Sequence, residues 1–137
     1  MVDASVALAW CFPDEGSAYA ERVLVALKGH TIVVPAVWCL EITNAILVGG
    51  RRNRLKQPEI LRYLALLERL PIVQDNQTLK ESVRNIRPMA RNYGLSAYDA
   101  AYLELAIRHG APLATLDGGL QKAARRAGIE VYLQTPS

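Results

Sequence analysis

Cysteine and histidine are scarce in this 137-residue chain, two of each. Cys11 and Cys39 have no C-x-x-C spacing and stand in apolar helical contexts, so they read as small buried hydrophobes, and a redox pair or a zinc site is excluded. His30 follows Gly29 and His109 precedes Gly110, places that belong to turns or helix ends. Long apolar runs are missing too. Glu41 interrupts the longest one and Pro35 precedes it, so nothing reaches the roughly 18 apolar residues of a membrane span. The start, MVDASVALAWCF, has no basic segment and carries an acid at position 3; a cytoplasmic protein with no membrane association is expected. No internal repeat or low-complexity linker divides the chain, and its length suits a single domain over residues 1–137. With 51% hydrophobic and 21% charged residues, it has the composition of a globular protein with one packed core. A net charge of +3 is a mild basic surplus, compatible with a polyanionic partner.

What is present alternates. Short β-like runs follow longer helical ones, the pattern of an α/β fold with a mostly parallel sheet. The first strand is very short, residues 1–3, and a helix follows over 4–12, ended by Pro13. A second helix is predicted over 17–28, closed by Gly29. TIVV at 31–34 reads as a buried parallel strand. A helix over 36–48 carries Glu41 and stops at Gly49-Gly50, with Val37, Leu40, Glu41, Asn44, Ala45 and Val48 on one face. The helix opened by Gln57-Pro58 holds more apolar positions than one buried stripe needs, which points to self-association through residues 58–70. A weak strand at 72–73 comes next, then a helix over 78–93 that Pro88 is expected to kink or split. Ser96 caps a helix over 97–108. A strand at 111–115 ends just before Asp117, and a helix over 119–127 and a strand at 129–132 complete the order.

Four acids stand in or beside apolar stretches: Asp3, Glu41, Asp99 and Asp117. Glu41 is the most conspicuous, the one charge between Lys28 and Arg51, because a carboxylate in a core-bound segment needs a cation or a full set of hydrogen bonds. Asp3 and Asp117 follow strands, and Asp99 lies in the first turn of a helix, so all three belong at the carboxyl edge of the sheet, where ligands bind in open α/β folds. Glu41 reaches the same crevice from its helix, with Asn44 one turn on to hold it. Each acid also has an ordinary role open to it. Asp3 can cap the helix at Ala4, Asp99 can complete a capping box with Ser96, and Asp117 before Gly118-Gly119 can be a turn residue. Together at one edge, such carboxylates repel one another unless a divalent cation intervenes. An all-oxygen set without His or Cys suits Mg²⁺ or Mn²⁺, and the chemistry that follows is phosphodiester or phosphoryl transfer. Ser5 and Thr115, two residues from Asp3 and Asp117, offer hydroxyls to place water or a phosphate.

Basic residues gather at Arg51, Arg52, Arg54 and Lys56, at Arg84, Arg87 and Arg91, and at Lys122, Arg125 and Arg126. Solvated helix faces account for many of them, and a polyanionic substrate would use the same charges. Glu21 with Arg22, Glu68 with Arg69 and Glu104 with Arg108 read as surface pairs.

The blocks VDASVALAW around Asp3, E-x-x-N at Glu41 and Asn44, YGLSAYDAAYLELA around Asp99 and LATLD ending at Asp117 resemble PIN-domain nucleases, and specifically VapC-type toxins of toxin-antitoxin pairs. The resemblance spans essentially the whole chain, with the blocks in order. It implies a PIN-like three-layer α/β/α sandwich and a Mg²⁺- or Mn²⁺-dependent endoribonuclease with Asp3, Glu41, Asp99 and Asp117 as its acidic quartet. Asp3, Asp99 and Asp117 would hold the metal, and Glu41 would ligate or orient the attacking water. It further implies RNA as substrate, a homodimer and a cognate antitoxin. A DNA nuclease of the same architecture and a catalytically silent regulatory module, its pocket filled by a partner's basic residue, stay open. A phosphoacceptor receiver is disfavoured because no lysine follows the late strand.

Overall fold

The structure, a computed structural model, describes residues 1–12 and 18–134. In order the elements are α1 (Ala4–Ala9), α2 (Ala18–Ala26), β1 (Ile32–Pro35), α3 (Ala36–Arg51), α4 (Gln57–Arg69), β2 (Ile72–Asp75), α5 (Leu79–Tyr93), α6 (Ala97–His109) and α7 (Gly118–Arg126). Pro13 and Ser17, the predicted stop and start around the first loop, lie outside the described residues.

β1 pairs in parallel with β2, Ile32 opposite Ile72. The predicted strands at 1–3, 111–115 and 129–132 are reduced to single parallel bridges, Val2 to Ala114 and Leu113 to Val131. Their backbone bonds nevertheless run in both directions: Asp3 N–H to Ala114 C=O at 3.0 Å, Ala114 N–H to Met1 C=O at 2.9 Å, and Leu113 N–H to Glu130 C=O at 2.9 Å. The shortness has local causes. α1 begins at Ala4, and Pro112 has no N–H to extend its strand. The strand pairs alternate with helices as an α/β fold requires, and every pairing among the described residues is parallel.

α6 lies at the centre of the core. Ala100, Tyr102, Leu103, Glu104, Leu105 and Ala106 are all buried, and the helix packs against α5, α7 and β1. Such a helix, apolar on most of its circumference, is enclosed rather than amphipathic. Val2, Val6, Val23, Val34, Leu113, Leu120 and Ala124 fill the space around it.

Three helix expectations are corrected. α5 is not split at Pro88 and stays helical from Leu79 to Tyr93; Pro88 and Arg84 are both exposed, so a backbone bond lost to the proline is left on the solvent side of the helix. α3 continues past Gly49-Gly50 to Arg51. Gly49 is there for space, since a Cβ would come within 3.0 Å of the Leu55 side chain and 3.1 Å of the Phe12 ring. The inward face of α3 is rotated from the predicted one: Trp38, Ile42 and Gly49 are its buried residues, Val37, Glu41, Ala45 and Val48 are half-buried at its margin, and Leu40 and Asn44 are exposed. With that rotation Cys39 turns outward, and its thiol donates to Gln74 Oε1 at 2.8 Å. Cys11 is buried as expected, its thiol pushed up to about 11 by burial and then by the charge of Glu59.

Glu104 and Arg108 are more than a surface pair. Glu104 is 7% exposed, and Arg108 forks between it, at 2.8 Å, and Asp75, at 2.6 Å. Gln77 Nε2 adds a 2.9 Å bond to Glu104. This network fastens the end of β2 to α6.

Candidate active site

Asp3 is 5% exposed and is the N-cap of α1, its Oδ1 accepting from Val6 N–H at 3.2 Å and from Ser5 Oγ–H at 2.6 Å. The other oxygen accepts from the Thr115 hydroxyl. Both hydroxyls also act as acceptors: Ser5 Oγ takes Leu116 N–H at 2.9 Å, and Thr115 Oγ1 takes Asp117 N–H at 3.0 Å. Each is a bridge. They tie the aspartate at the start of the chain to the turn that carries Asp117, so the capping role and a place in the site coexist. Ser5 and Thr115 thus spend their hydroxyl protons on Asp3 and do not present them to a ligand.

Asp117 is exposed and caps α7 through a 2.8 Å bond from Leu120 N–H. Asp99 is half-buried at the third position of α6, where Ser96 Oγ accepts its N–H at 3.1 Å. Glu41 projects from the second turn of α3, half-buried. Its Oε1 accepts a 2.8 Å bond from the Tyr102 hydroxyl, whereas Asn44, one turn on, is exposed. Tyr102 is the residue that the sequence did not single out. It is 1% exposed and stands three residues after Asp99, hence on the same side of α6; that spacing was its one sequence signal.

The four carboxylates are electrostatic neighbours. Burial raises the Asp3 carboxyl above its ordinary value against the pull of its Ser5, Thr115 and Val6 hydrogen bonds, and the charge of Asp117 raises it further. Glu41 is raised by burial, lowered in part by the Tyr102 bond, and raised again by the charges of Asp3 and Asp99. Asp99 is raised by burial and by Asp117, with a hydrogen bond to Ser96 opposing. These couplings close a ring, Asp3 to Glu41 to Asp99 to Asp117 and back to Asp3. No Lys or Arg figures among the influences on Asp3, Glu41 or Asp99.

Among the described residues no three acidic, histidine or cysteine side chains converge tightly enough to form a ready cage for a bare ion. The donor set still fits one type of cation. It is all oxygen and anionic, and burial followed by the charge of a neighbouring acid raises Asp3, Glu41 and Asp99 above their ordinary values, a set that suits a hard cation such as Mg²⁺, which keeps part of its water shell. Asp3, Asp99 and Asp117 are the residues that would hold it.

The PIN domain family model matches residues 1–126. Ribonuclease VapC3 from Pyrobaculum aerophilum is 33% identical over 118 residues, 85% of this chain and 88% of its own. The crystal structure of PAE2754 from the same organism has the same fold, with a TM-score of 0.65 and 24% identity over 89% of this chain and 76% of that one.

Proposed function

This chain belongs to the PIN-domain family, with the α/β sandwich of that fold, and from that premise we propose that it is a metal-dependent endoribonuclease, the toxin of a VapBC-type toxin-antitoxin pair. The observation that carries the proposal is the ring of four coupled carboxylates, of which Asp3, Glu41 and Asp99 are raised by burial and by one another's or Asp117's charge, with no lysine or arginine among the described residues acting on those three. The name of the 33%-identical relative, a ribonuclease of the VapC group, favours RNA over DNA.

Asp3, Asp99 and Asp117 would hold a divalent cation, Mg²⁺ or Mn²⁺, which when bound would neutralise the acidic ring and polarise a phosphate oxygen. The chain's own residues do the rest. Glu41 has one oxygen fixed by Tyr102, and its other oxygen takes a proton from the attacking water. The water oxygen bonds to phosphorus, the bond from phosphorus to the 3′ oxygen breaks, and that oxygen leaves with the bonding pair and takes a proton from solvent, giving a 5′-phosphate and a 3′-hydroxyl. Ser5 and Thr115 keep Asp3 in register with the Asp117 turn.

Asp3→Asn and Asp99→Asn proteins, shown folded by circular dichroism, are expected to cleave single-stranded RNA about 10²- to 10⁴-fold more slowly than the wild type under Mn²⁺. Equal rates would refute the assignment. The proposal brings two protein partners, a cognate antitoxin and a second copy of the chain. Exposed Leu61 and Leu64 on α4 favour self-association through that helix. Light scattering at tens of micromolar, roughly the regime of standard-size interfaces, is expected to give a dimer mass, and Leu61→Lys a monomer. Among the described residues no helix is long and apolar enough to cross a membrane.

A further inference from the structure

α6 brings two things to the site. Asp99 is its third residue, and one turn on is Tyr102, a fully enclosed ring whose hydroxyl is its only polar group beyond the backbone. That hydroxyl donates to Glu41 Oε1 at 2.8 Å, across from α6 to α3, between residues 61 positions apart. Without the bond, Glu41 would have three side-chain torsions to settle in a half-buried place beside two other negative charges. Neither Coulomb repulsion from Asp3 and Asp99 nor the rotamers of a glutamate would keep it aimed inward.

We propose that Tyr102 is a positioning residue, which fixes Glu41 by one carboxylate oxygen and leaves the second turned to the attacking water. The inference rests on the endoribonuclease reading of the site and adds to it the part that orients its base. Burial and then the hydrogen bond to Glu41 hold the phenol well above the ordinary tyrosine range, so it stays a donor and does not exchange roles with the carboxylate. Because Asp99 and Tyr102 are on one rigid helix, the metal-side acid and the clamp on the base move as a unit.

Removing the hydroxyl while keeping the ring tests this. Tyr102→Phe is expected to lower kcat on RNA about a hundredfold, the cost of a displaced reacting group, with KM within about twofold. In a Glu41→Gln background, itself expected to be slow, adding Tyr102→Phe should cost nothing further, because no base is then left for the phenol to orient. A second loss of similar size there would overturn the proposal, as would a Tyr102→Phe protein of wild-type rate. If Glu41→Gln itself cleaves at wild-type rate, the role given to Glu41 falls, and this inference falls with it, whereas intact loss on Glu41→Gln with a harmless Tyr102→Phe condemns the clamp alone. A readout independent of cleavage and metal is the ¹³C signal of the Glu41 carboxyl in metal-free protein. It should move toward that of exposed glutamates in Tyr102→Phe, and an unmoved signal would overturn the clamp. Should Tyr102→Phe fail to fold, Glu41→Asp withdraws the carboxylate from the phenol by one methylene at constant charge. It should then show a comparable loss, and a wild-type rate would count against the proposal.

Discussion

At Glu41 the protein accepts a cost. A half-buried carboxylate raised by burial and by the charges of Asp3 and Asp99 binds its proton more tightly folded than unfolded. A carboxyl of this kind stabilises the fold below its ordinary value of 4.5 and loses that contribution as the pH rises through the raised value. Asp3 and Asp99 act in the same direction. Asp75, lowered chiefly by its hydrogen bonds from Arg108, acts in the opposite one, stabilising above the ordinary range and losing that as the pH falls. For metal-free protein the first three should dominate near neutrality. Glu41→Gln keeps an acceptor for Tyr102 and removes the charge, so its metal-free melting temperature at about pH 7 should exceed that of the wild type. At about pH 3, where Glu41 is protonated in both states, the gain should vanish. Added Mn²⁺ should raise the melting temperature of both proteins at pH 7, because its ligands Asp3, Asp99 and Asp117 are intact in each and a ligand bound only by the folded state stabilises it. A gain that persists in acid would show that the variant acts through packing and not through charge.

At the scale of elements, glycine has opposite meanings at two adjacent positions of α3. Gly49 abuts Leu55 and Phe12, while Gly50 has nothing within 4 Å of an added Cβ. Gly49→Ala is therefore expected to destabilise by about 1–3 kcal/mol through overpacking. Gly50→Ala should stabilise by about 0.5–1 kcal/mol by restricting the unfolded chain in a helical position. Urea melts of the two variants decide it, and a loss in both would mean that the helix end is not where the structure puts it. The sequence read the pair as a stop because it carries no sign of what a missing Cβ makes room for. It did show β1, where TIVV is β-branched throughout, and the Ser96 cap, where a short polar side chain precedes a helical run. The face of α3 was misread for a related reason. Its apolar residues surround the helix, so periodicity did not fix its rotation, and tertiary packing around Trp38 and Ile42 did. Asn44 turned outward with that rotation, and Tyr102 took the place given to it. The four acids were legible because a charge inside an apolar run is costly anywhere. A tyrosine in a buried helix is ordinary, and its partner lies 61 residues away.

For the molecule as a whole, the acidic ring and the basic surplus pose one problem. A substrate with a phosphate at every residue is repelled by four carboxylates and must be drawn in by charges elsewhere. The cations at the end of α3 are separable in this respect. Arg54 stacks at 4.8 Å over the Phe12 ring and so has structural work, while Arg51, Arg52 and Lys56 are exposed. If RNA phosphates dock on that surface, binding releases condensed counterions, and the logarithm of affinity falls with the logarithm of salt by about 0.7 for each single-strand phosphate neutralised. Replacing Arg51 and Arg52 together by Ala should therefore lower the salt slope by about 1.4 and raise KM while leaving kcat unchanged. The same pair of substitutions on the outer face of α5, Arg84 and Arg87, gives the comparison, since both are exposed on a helix whose inner side packs on α6. Fluorescence anisotropy with a short RNA at several salt concentrations, using an Asp99→Asn protein to prevent cleavage, separates the two surfaces. A slope that changes for the α3 pair alone places the strand across the end of α3. One that changes for neither marks both clusters as solvated faces and leaves substrate capture to the ion and the cleft.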